Sequence, residues 1–261
     1  INGQQLVNHW TDHGPSEDSG TITLVAGQKY DVKMEFYENA WGAVAKLSWA
    51  SPSTAKQIIP ATQLYPTGSA TVGLPAGWSA QDVGSVAAAG SSTQANGTWT
   101  VSGSGVDIWS TADGFQFVGR QATGDIQVTA RVTGLTNTDV WAKAGVMIRD
   151  TLTAGSCHVS TFATSANGLV YQRRTVANGA SSHTAGPNSA APAWVRIERV
   201  GSVVISSTSL DGSTWTEIRR ETSPLGNAVY VGLAVTSHNN GQVCTATFTN
   251  VQVIAASAAA N

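Results

Sequence analysis

Two tryptophans in loops are the side chains of this sequence that are best suited to hold a ligand. Trp109 lies in a loop bracketed by Asp107 and Asp113, and Trp141 precedes the stretch Lys143–Arg149. Sugar rings present apolar C–H faces that stack on an indole, and nearby polar groups then fix the hydroxyls. The pattern predicts a carbohydrate platform at Trp109, with Asp107, and at Trp141. The alternative is that both indoles are packing residues.

A run of polar side chains in a strand-like stretch is the second candidate. Alternation along a strand places Gln172 and Arg174 on one face and the intervening arginine on the other. The planar fork of a guanidinium suits sugar hydroxyls or carboxylates. We expect Arg149 to join this face and His183, in the loop 180–188, to border it. The alternative is an exposed strand whose arginines pair with Asp or Glu.

Residue patterns that would support catalysis are missing from the sequence. A glycosidase needs two carboxylates that flank the scissile bond, but the acids in strand-like stretches are isolated, and Glu35 and Glu38 fall on opposite sides of one stretch. No Gly-x-Ser-x-Gly elbow and no glycine-rich phosphate loop precedes a helix. His9 and His13 are four residues apart but lie on no predicted helix. We predict no catalytic residue and no cofactor within this chain.

Composition indicates an all-β, extracellular protein. Among the 261 residues there are 27 glycines and nine tryptophans, only 11% are charged, and the net charge is −2. Short alternations of Thr and Val between Gly and Asn turns predict strands rather than helices. A nearly neutral chain has no basic footprint for nucleic acid, and no apolar run is long enough to span a membrane. We therefore expect a secreted or cell-surface location.

The pattern divides the chain into two β modules. Strand-like stretches in the first are Thr21–Val25, Tyr30–Tyr37 and Val44–Trp49. The predicted boundaries are 1–66 for the first module, 67–75 for a Gly/Ser/Thr linker, 76–254 for a β-sandwich and 255–261 for an Ala/Ser-rich tail. Three or four short strands bury too little apolar surface to fold alone. We expect partner strands from a preceding segment or from a neighbouring chain to complete residues 1–66.

The first module resembles the protective-antigen-fourteen-type (PA-14) family. The residues that carry the resemblance are Asn8–Pro15, Ser19–Thr21, Ala26–Tyr30, Glu35–Asn39 and Leu47–Trp49. The family's fold is a β-barrel or sandwich that often binds sugar, and the match is to its C-terminal half. Calcium-binding members use a paired-Asp motif that would lie before Ile1. The resemblance therefore allows for calcium in a missing front half of the domain.

The second module is similar to the concanavalin-A-like jelly rolls of secreted bacterial proteins. The resemblance rests on Trp78–Gly84, Gly124–Val132, Lys143–Asp150, Asp211–Trp215 and Tyr230–His238. It implies an antiparallel β-sandwich of the kind that accompanies glycoside hydrolases, some members of which bind glycans. Lectins, hydrolases and inert spacers all use this fold, so the resemblance predicts the fold more firmly than the activity.

Cysteine usage predicts one disulfide. The chain has two cysteines, Cys157 and Cys244, and both lie in strand-like stretches of the second module. An even count in a secreted chain is compatible with a bridge between them.

Together these features predict non-catalytic carbohydrate-binding modules of a larger secreted protein, with a glycan or polysaccharide as the partner. Two alternatives remain. One is a structural module of an adhesin or extracellular filament that a neighbouring chain completes. The other is an accessory part of a glycoside hydrolase whose catalytic domain lies elsewhere.

Overall fold

The computed structural model describes residues 1–25, 30–39, 42–60, 63–64 and 73–256. It divides the chain into two compact units, Ile1–Ser69 and Ala70–Asn261. The described residues contain strands and turns but no α-helix. The predicted all-β fold class is confirmed. No helix in these ranges is long and apolar enough to cross a membrane.

The first unit has one regular element among its described residues, an antiparallel hairpin of β1 (Ser48–Ser51) and β2 (Thr54–Ile58). The predicted strands Thr21–Val25 and Tyr30–Tyr37 form no strand in the structure, and the third begins only at Ser48. An alternating sequence becomes a strand only where a partner supplies the backbone hydrogen bonds. No such partner is present among the residues described in this unit.

The second unit is a sandwich of two seven-stranded antiparallel sheets. Sheet I has the order β11-β10-β9-β8-β15-β6-β3, and sheet II has the order β14-β13-β12-β7-β16-β5-β4. The strands are β3 (Ser79–Val83), β4 (Ser91–Ala95), β5 (Thr98–Gly103), β6 (Phe115–Thr123), β7 (Ile126–Leu135), β8 (Lys143–Arg149), β9 (His158–Thr164), β10 (Leu169–Arg174), β11 (Ser182–Ala185), β12 (Ala193–Val200), β13 (Val203–Ser209), β14 (Thr216–Thr222), β15 (Ala228–Thr236) and β16 (Cys244–Ala255). Ala255 thus belongs to the last strand rather than to the tail, and 257–261 lie outside the described residues.

The main core lies between the two sheets. Alternation in β8 turns Ala144, Val146 and Ile148 toward sheet II, where they meet residues such as Val195 and Phe248. The opposite face of sheet I carries a smaller apolar cluster that includes Met147. Because this second face is also covered at the centre of sheet I, the central strands β8 and β9 are buried on both sides and have no exposed residue.

The predicted disulfide is wrong, because both cysteines are free. Cys157 precedes β9, whose first residue pairs with Arg149 at one end of β8. Cys244 opens β16 in the other sheet and pairs with Gly103, which lies against Val235 near the Lys143 end of β8. The seven residues of β8 span about 20 Å. A bridge needs Cα atoms within about 7 Å.

We expect thiol titration to report two free thiols in the unreduced protein after unfolding. In the folded protein Cys157 is half-buried, whereas Cys244 is fully buried and its Sγ lies 3.2 Å from the carbonyl oxygen of Thr136. Burial raises the pKa of the Cys244 thiol to about 11. Cys157 should therefore react first with a thiol reagent and Cys244 only on unfolding. A titration that finds no reactive thiol after unfolding would show that the two cysteines form a disulfide.

Candidate functional site

The outer face of sheet I collects polar residues that the sequence scatters over three strands, β8, β10 and β11. On β8 this face carries Lys143 and Arg149, and on β10 it carries Gln172 and Arg174 together with the apolar Val170. The two predicted residues of β10 do share a face. Cross-strand pairing sets Gln172 opposite His183 of β11, so these two side chains are neighbours.

The loop between β5 and β6 folds over this face and carries two of the predicted site residues. The two ends of the loop meet at Gly105 and Gly114. A Cβ on Gly105, whose φ is +121°, would lie 1.9 Å from the Gly114 carbonyl oxygen, so this close approach requires glycine. The amide of Gly114 also donates to the carbonyl of Asp107 at 2.7 Å. The closed loop buries Ile108 against the outer face and leaves its neighbour Trp109 half-buried.

Three aromatic rings meet at the mouth of this face, and we call Trp109, Trp141 and His183 the aromatic cluster. The ring centroid of His183 lies 5.9 Å from that of Trp109 and 6.1 Å from that of Trp141. The imidazole is exposed and both indoles are half-buried. The loops after β5 and β7 and the edge strand β11 each contribute one ring. The rings therefore line a surface that is open to solvent on one side.

Beneath the aromatic cluster lies a set of polar side chains that we call the polar floor: Asp107, Lys143 and Gln172. The Lys143 ammonium is 1% exposed, donates to Asp107 Oδ1 at 2.5 Å and lies 3.4 Å from Gln172 Oε1. It also lies 5.6 Å from the Trp141 ring centroid. Burial lowers the pKa of Lys143, and the charge of Asp107 opposes that shift.

Two further residues join the polar floor at its rim. His238, at φ +51°, places Nε2 3.2 Å from Asp107 Oδ2 and Nδ1 2.9 Å from Asp139 Oδ1. Asp139 also accepts a hydrogen bond from the Trp141 amide at 2.7 Å. A short carboxylate that bonds a backbone amide two residues on forms a local turn, and this turn fixes where Trp141 emerges. Three loops thereby meet around the aromatic cluster.

Arg149 and Arg174 do not belong to a ligand-accessible surface, which corrects the sequence prediction. Both are fully buried, and their guanidiniums converge on the equally buried Asp113. Arg174 binds both oxygens of this carboxylate, at 2.9 and 2.6 Å, and Arg149 approaches it at 3.5 Å. Burial lowers the pKa of Arg149 to about 10.

Arg174 also fastens three loops to one another. Its remaining N–H groups donate to carbonyl oxygens of Trp109, Ser110, Ala154, Ser156 and Gly179. His158 completes this buried ion cluster, which we define as Asp113, Arg149, Arg174 and His158. Because the guanidinium of Arg174 is saturated by protein acceptors, its role is to position the loop that carries Trp109 rather than to touch a ligand.

The structure thus brings five of the seven predicted site residues together and moves two beneath them. Those at the site are Asp107, Trp109, Trp141, Gln172 and His183. Sequence reasoning missed Lys143, Asp139 and His238. A lysine directly before the apolar run Ala144–Ile148 was the available signal for Lys143, since a buried lysine requires a partner. For His238 the Asn-Asn-Gly sequence after it indicated only a turn.

The arrangement has the chemistry of a binding site for polyhydroxylated molecules. It combines flat apolar rings with a mixture of hydrogen-bond donors and acceptors at their base. The described residues contain no group of three His, Cys, Asp or Glu side chains placed to hold a metal ion.

The fold and this site define a two-unit, all-β protein whose second unit is an antiparallel β-sandwich of two seven-stranded sheets. Residues 1–63, about a quarter of the chain, match the family described as the PA14 domain. The resemblance of the first module to this family is confirmed at that level. The anti-sigma-I factor RsgI3 of Acetivibrio thermocellus is 46% identical over 67 residues, which are 26% of this chain and 10% of that protein. The matched segment thus spans a tenth of the length of this relative.

Among solved structures, a functionally unknown protein from Saccharomyces cerevisiae is similar with a TM-score of 0.53 and 20% identity, over 64% of this chain and 93% of that one. At this identity the likeness shows the fold alone. The GH43 protein BlXynB from Bacillus licheniformis has a TM-score of 0.46 and 13% identity, over 61% of this chain and 33% of that one. Lectin I from Ulex europaeus has a TM-score of 0.43 and 10% identity, over 67% of this chain and 91% of that one.

Proposed function

We propose that the second unit is a non-catalytic carbohydrate-binding module whose ligand lies on the aromatic cluster. The observation that carries this proposal is the position of two half-buried indoles and an exposed imidazole directly above buried polar groups. Aromatic faces stack on the C–H surfaces of sugar rings, and the polar floor meets the hydroxyls. A module of this kind needs no catalytic acid pair, and the two carboxylates at this site, Asp107 and Asp139, both face His238.

The polar floor supplies the second part of the argument. Gln172 is 2% exposed, and its Oε1 lies near Lys143, but its Nε2 donates to no described protein atom. This nitrogen is not fully enclosed, so a part of its surface remains in contact with solvent. A buried amide that keeps its N–H groups free and reaches solvent beside His183 is arranged to donate to a bound molecule.

The resemblance of residues 1–63 to a family that often binds sugar supports a carbohydrate-directed role for the whole chain. Secretion, and a place in a larger extracellular protein, belong to the same proposal. The low content of charged side chains and the high content of Gly, Ser and Thr favour them.

Replacing Trp109 or Trp141 by alanine should weaken glycan binding at least tenfold, because each substitution removes one stacking face. A shallow site of this kind is expected to bind oligosaccharides with a Kd of about 10 μM to 1 mM. Isothermal titration calorimetry with soluble plant and bacterial polysaccharides measures the change. Since both rings are half-buried at the surface, the melting temperature should fall by only a few degrees.

Trp215→Ala is the matched control for these variants. Trp215 is a half-buried indole of the same unit that packs against Trp194 of sheet II, away from the aromatic cluster. This variant should bind as the unaltered protein does. Equal binding by all three variants, or loss of binding that follows only from unfolding, would count against the site.

A second candidate function rests on the first unit. Of 18 large apolar residues that are exposed among the described ones, 12 lie in residues 1–64, including Trp10, Met34 and Phe36. This concentration of exposed apolar side chains in one unit is typical of an interaction surface. We propose that this unit associates with further β-structure, from the same polypeptide or from a neighbour. Light scattering of the full chain over a range of concentrations would detect self-association. A monomer at every concentration would exclude association with a second copy of this chain.

A further inference from the structure

We propose that the site on the aromatic cluster selects neutral sugars and excludes uronic acids. This inference rests on the proposed function and names its ligand class. Sequence reasoning pointed to arginines on this face, which would favour acidic glycans. The structure removes those arginines from the surface, and the charge that remains accessible at the rim is negative.

The cations near the site are already committed to protein acceptors. Arg149 and Arg174 lie within the buried ion cluster, with their guanidiniums bonded to Asp113 and to backbone carbonyls. Lys143 is 1% exposed, and its ammonium lies 2.5 Å from Asp107. A ligand carboxylate would therefore have to break the Lys143–Asp107 pair to reach a positive charge, and it would leave the half-buried Asp107 without its cation.

The carboxylates keep accepting positions free. An ionised carboxylate has about four lone-pair sites. On Asp107, Oδ1 receives the Ile108 amide and Lys143, and Oδ2 faces His238. On Asp139, Oδ1 receives the Trp141 amide and faces His238, while Oδ2 has no hydrogen bond from a described residue. The Asp139 side chain is 35% exposed, so this free oxygen lies at the open rim.

Hydroxyl groups suit this mixture and a ligand carboxylate does not. A hydroxyl can donate to Asp139 Oδ2 and accept from Gln172 Nε2, whereas an ionised carboxylate can only accept. A carboxylate placed at the rim would face Asp139 as a like charge, and like-charge contact across an interface is a recurrent source of specificity. The site consequently discriminates by repulsion as well as by fit.

The test compares matched oligosaccharides that differ only at C6: manno-oligosaccharides against oligomannuronates, and galacto-oligosaccharides against oligogalacturonates, each pair with the same length and linkage. With the full chain at pH 7 and low salt, the neutral member of a bound pair should bind at least tenfold more tightly in calorimetry. Raising the salt to about 1 M should narrow the ratio, since the Debye length falls to about 3 Å.

Asp139→Asn is the informative variant, because it keeps an oxygen for the Trp141 amide and removes the negative charge. It should bring the two members of a pair to within about threefold of each other, chiefly by improving binding of the uronate. Asp125→Asn, in the turn before β7, is the matched control and should leave the ratio as it is.

Each outcome has a distinct meaning. A uronate that binds as tightly as its neutral counterpart, or an Asp139→Asn variant that keeps the full ratio, overturns the selectivity and leaves carbohydrate binding standing. Failure of every neutral and acidic sugar to bind overturns the proposed function and this inference with it.

Discussion

Arg174→Met is expected to lower the free energy of unfolding of the second unit by about 3–5 kcal/mol, the range for removing one partner of a buried ion pair. The substitution keeps an unbranched, shorter apolar side chain and removes the guanidinium that makes the bidentate contact to Asp113. It also strands the carbonyl oxygens of three loops. Urea unfolding of the full chain, followed by tryptophan fluorescence and circular dichroism, measures the loss.

Arg220→Met provides the comparison for this prediction. Arg220 pairs with Glu217 on the edge strand β14, and the two side chains are 54% and 44% exposed. Exposed pairs contribute less than about 1 kcal/mol. If Arg174→Met costs no more than Arg220→Met, the buried ion cluster does not stabilise the fold in the way described.

A double-mutant cycle separates the ion pair from the loop contacts. Asp113→Asn alone should also be strongly destabilising, because it leaves Arg149 and Arg174 buried without a counter-charge. Since the two side chains touch, the double variant should lose less than the sum of the two single variants. The loss of unfolding free energy that Arg174→Met still causes in the Asp113→Asn background measures the contribution of the hydrogen bonds from Arg174 to the loop carbonyl oxygens.

The second large effect is a loss of stability in mild acid that depends on His158. This imidazole is fully buried, and burial, followed by the charges of Arg149, Arg174 and Lys143, holds its pKa well below the usual 6.5. In the unfolded chain the pKa returns to about 6.5, so below that pH only the unfolded state takes up the proton. The folded state therefore loses stability as the pH falls from the unfolded pKa toward the folded one.

Between pH 7 and pH 5 this one group should lower the free energy of unfolding by about 2 kcal/mol, since one pKa unit corresponds to 1.36 kcal/mol. Unfolding by urea at several pH values measures it. His158→Asn keeps a polar atom for Ser160, 3.0 Å from Nδ1, and cannot titrate, so its stability should depend less on pH by that amount. His183→Asn, at an exposed histidine, should retain the full dependence. Parallel pH profiles for wild type and His158→Asn would contradict the assignment.

The sequence by itself determined the fold class and which residues lie on the same face of a strand. Thr and Val alternation between Gly and Asn turns requires strands, and period-two spacing fixes which residues share a side, as Gln172 and Arg174 do. The same pattern also located Trp109 and Trp141 in loops, where an indole can reach solvent. These properties are local, so a single stretch of chain is enough to read them.

Only the tertiary structure decided what covers each face and which loops meet. Alternation shows that the side chain of Arg174 points away from the main core, but it cannot show that the loop after β5 folds back and buries this side chain. Asp107, Asp139 and His238 are far apart in sequence and meet because β6, β8 and β15 are neighbours in sheet I. The two cysteines show the converse, since they lie at opposite ends of the sandwich despite similar local patterns. Long-range proximity depends on strand order, and no local periodicity encodes that order.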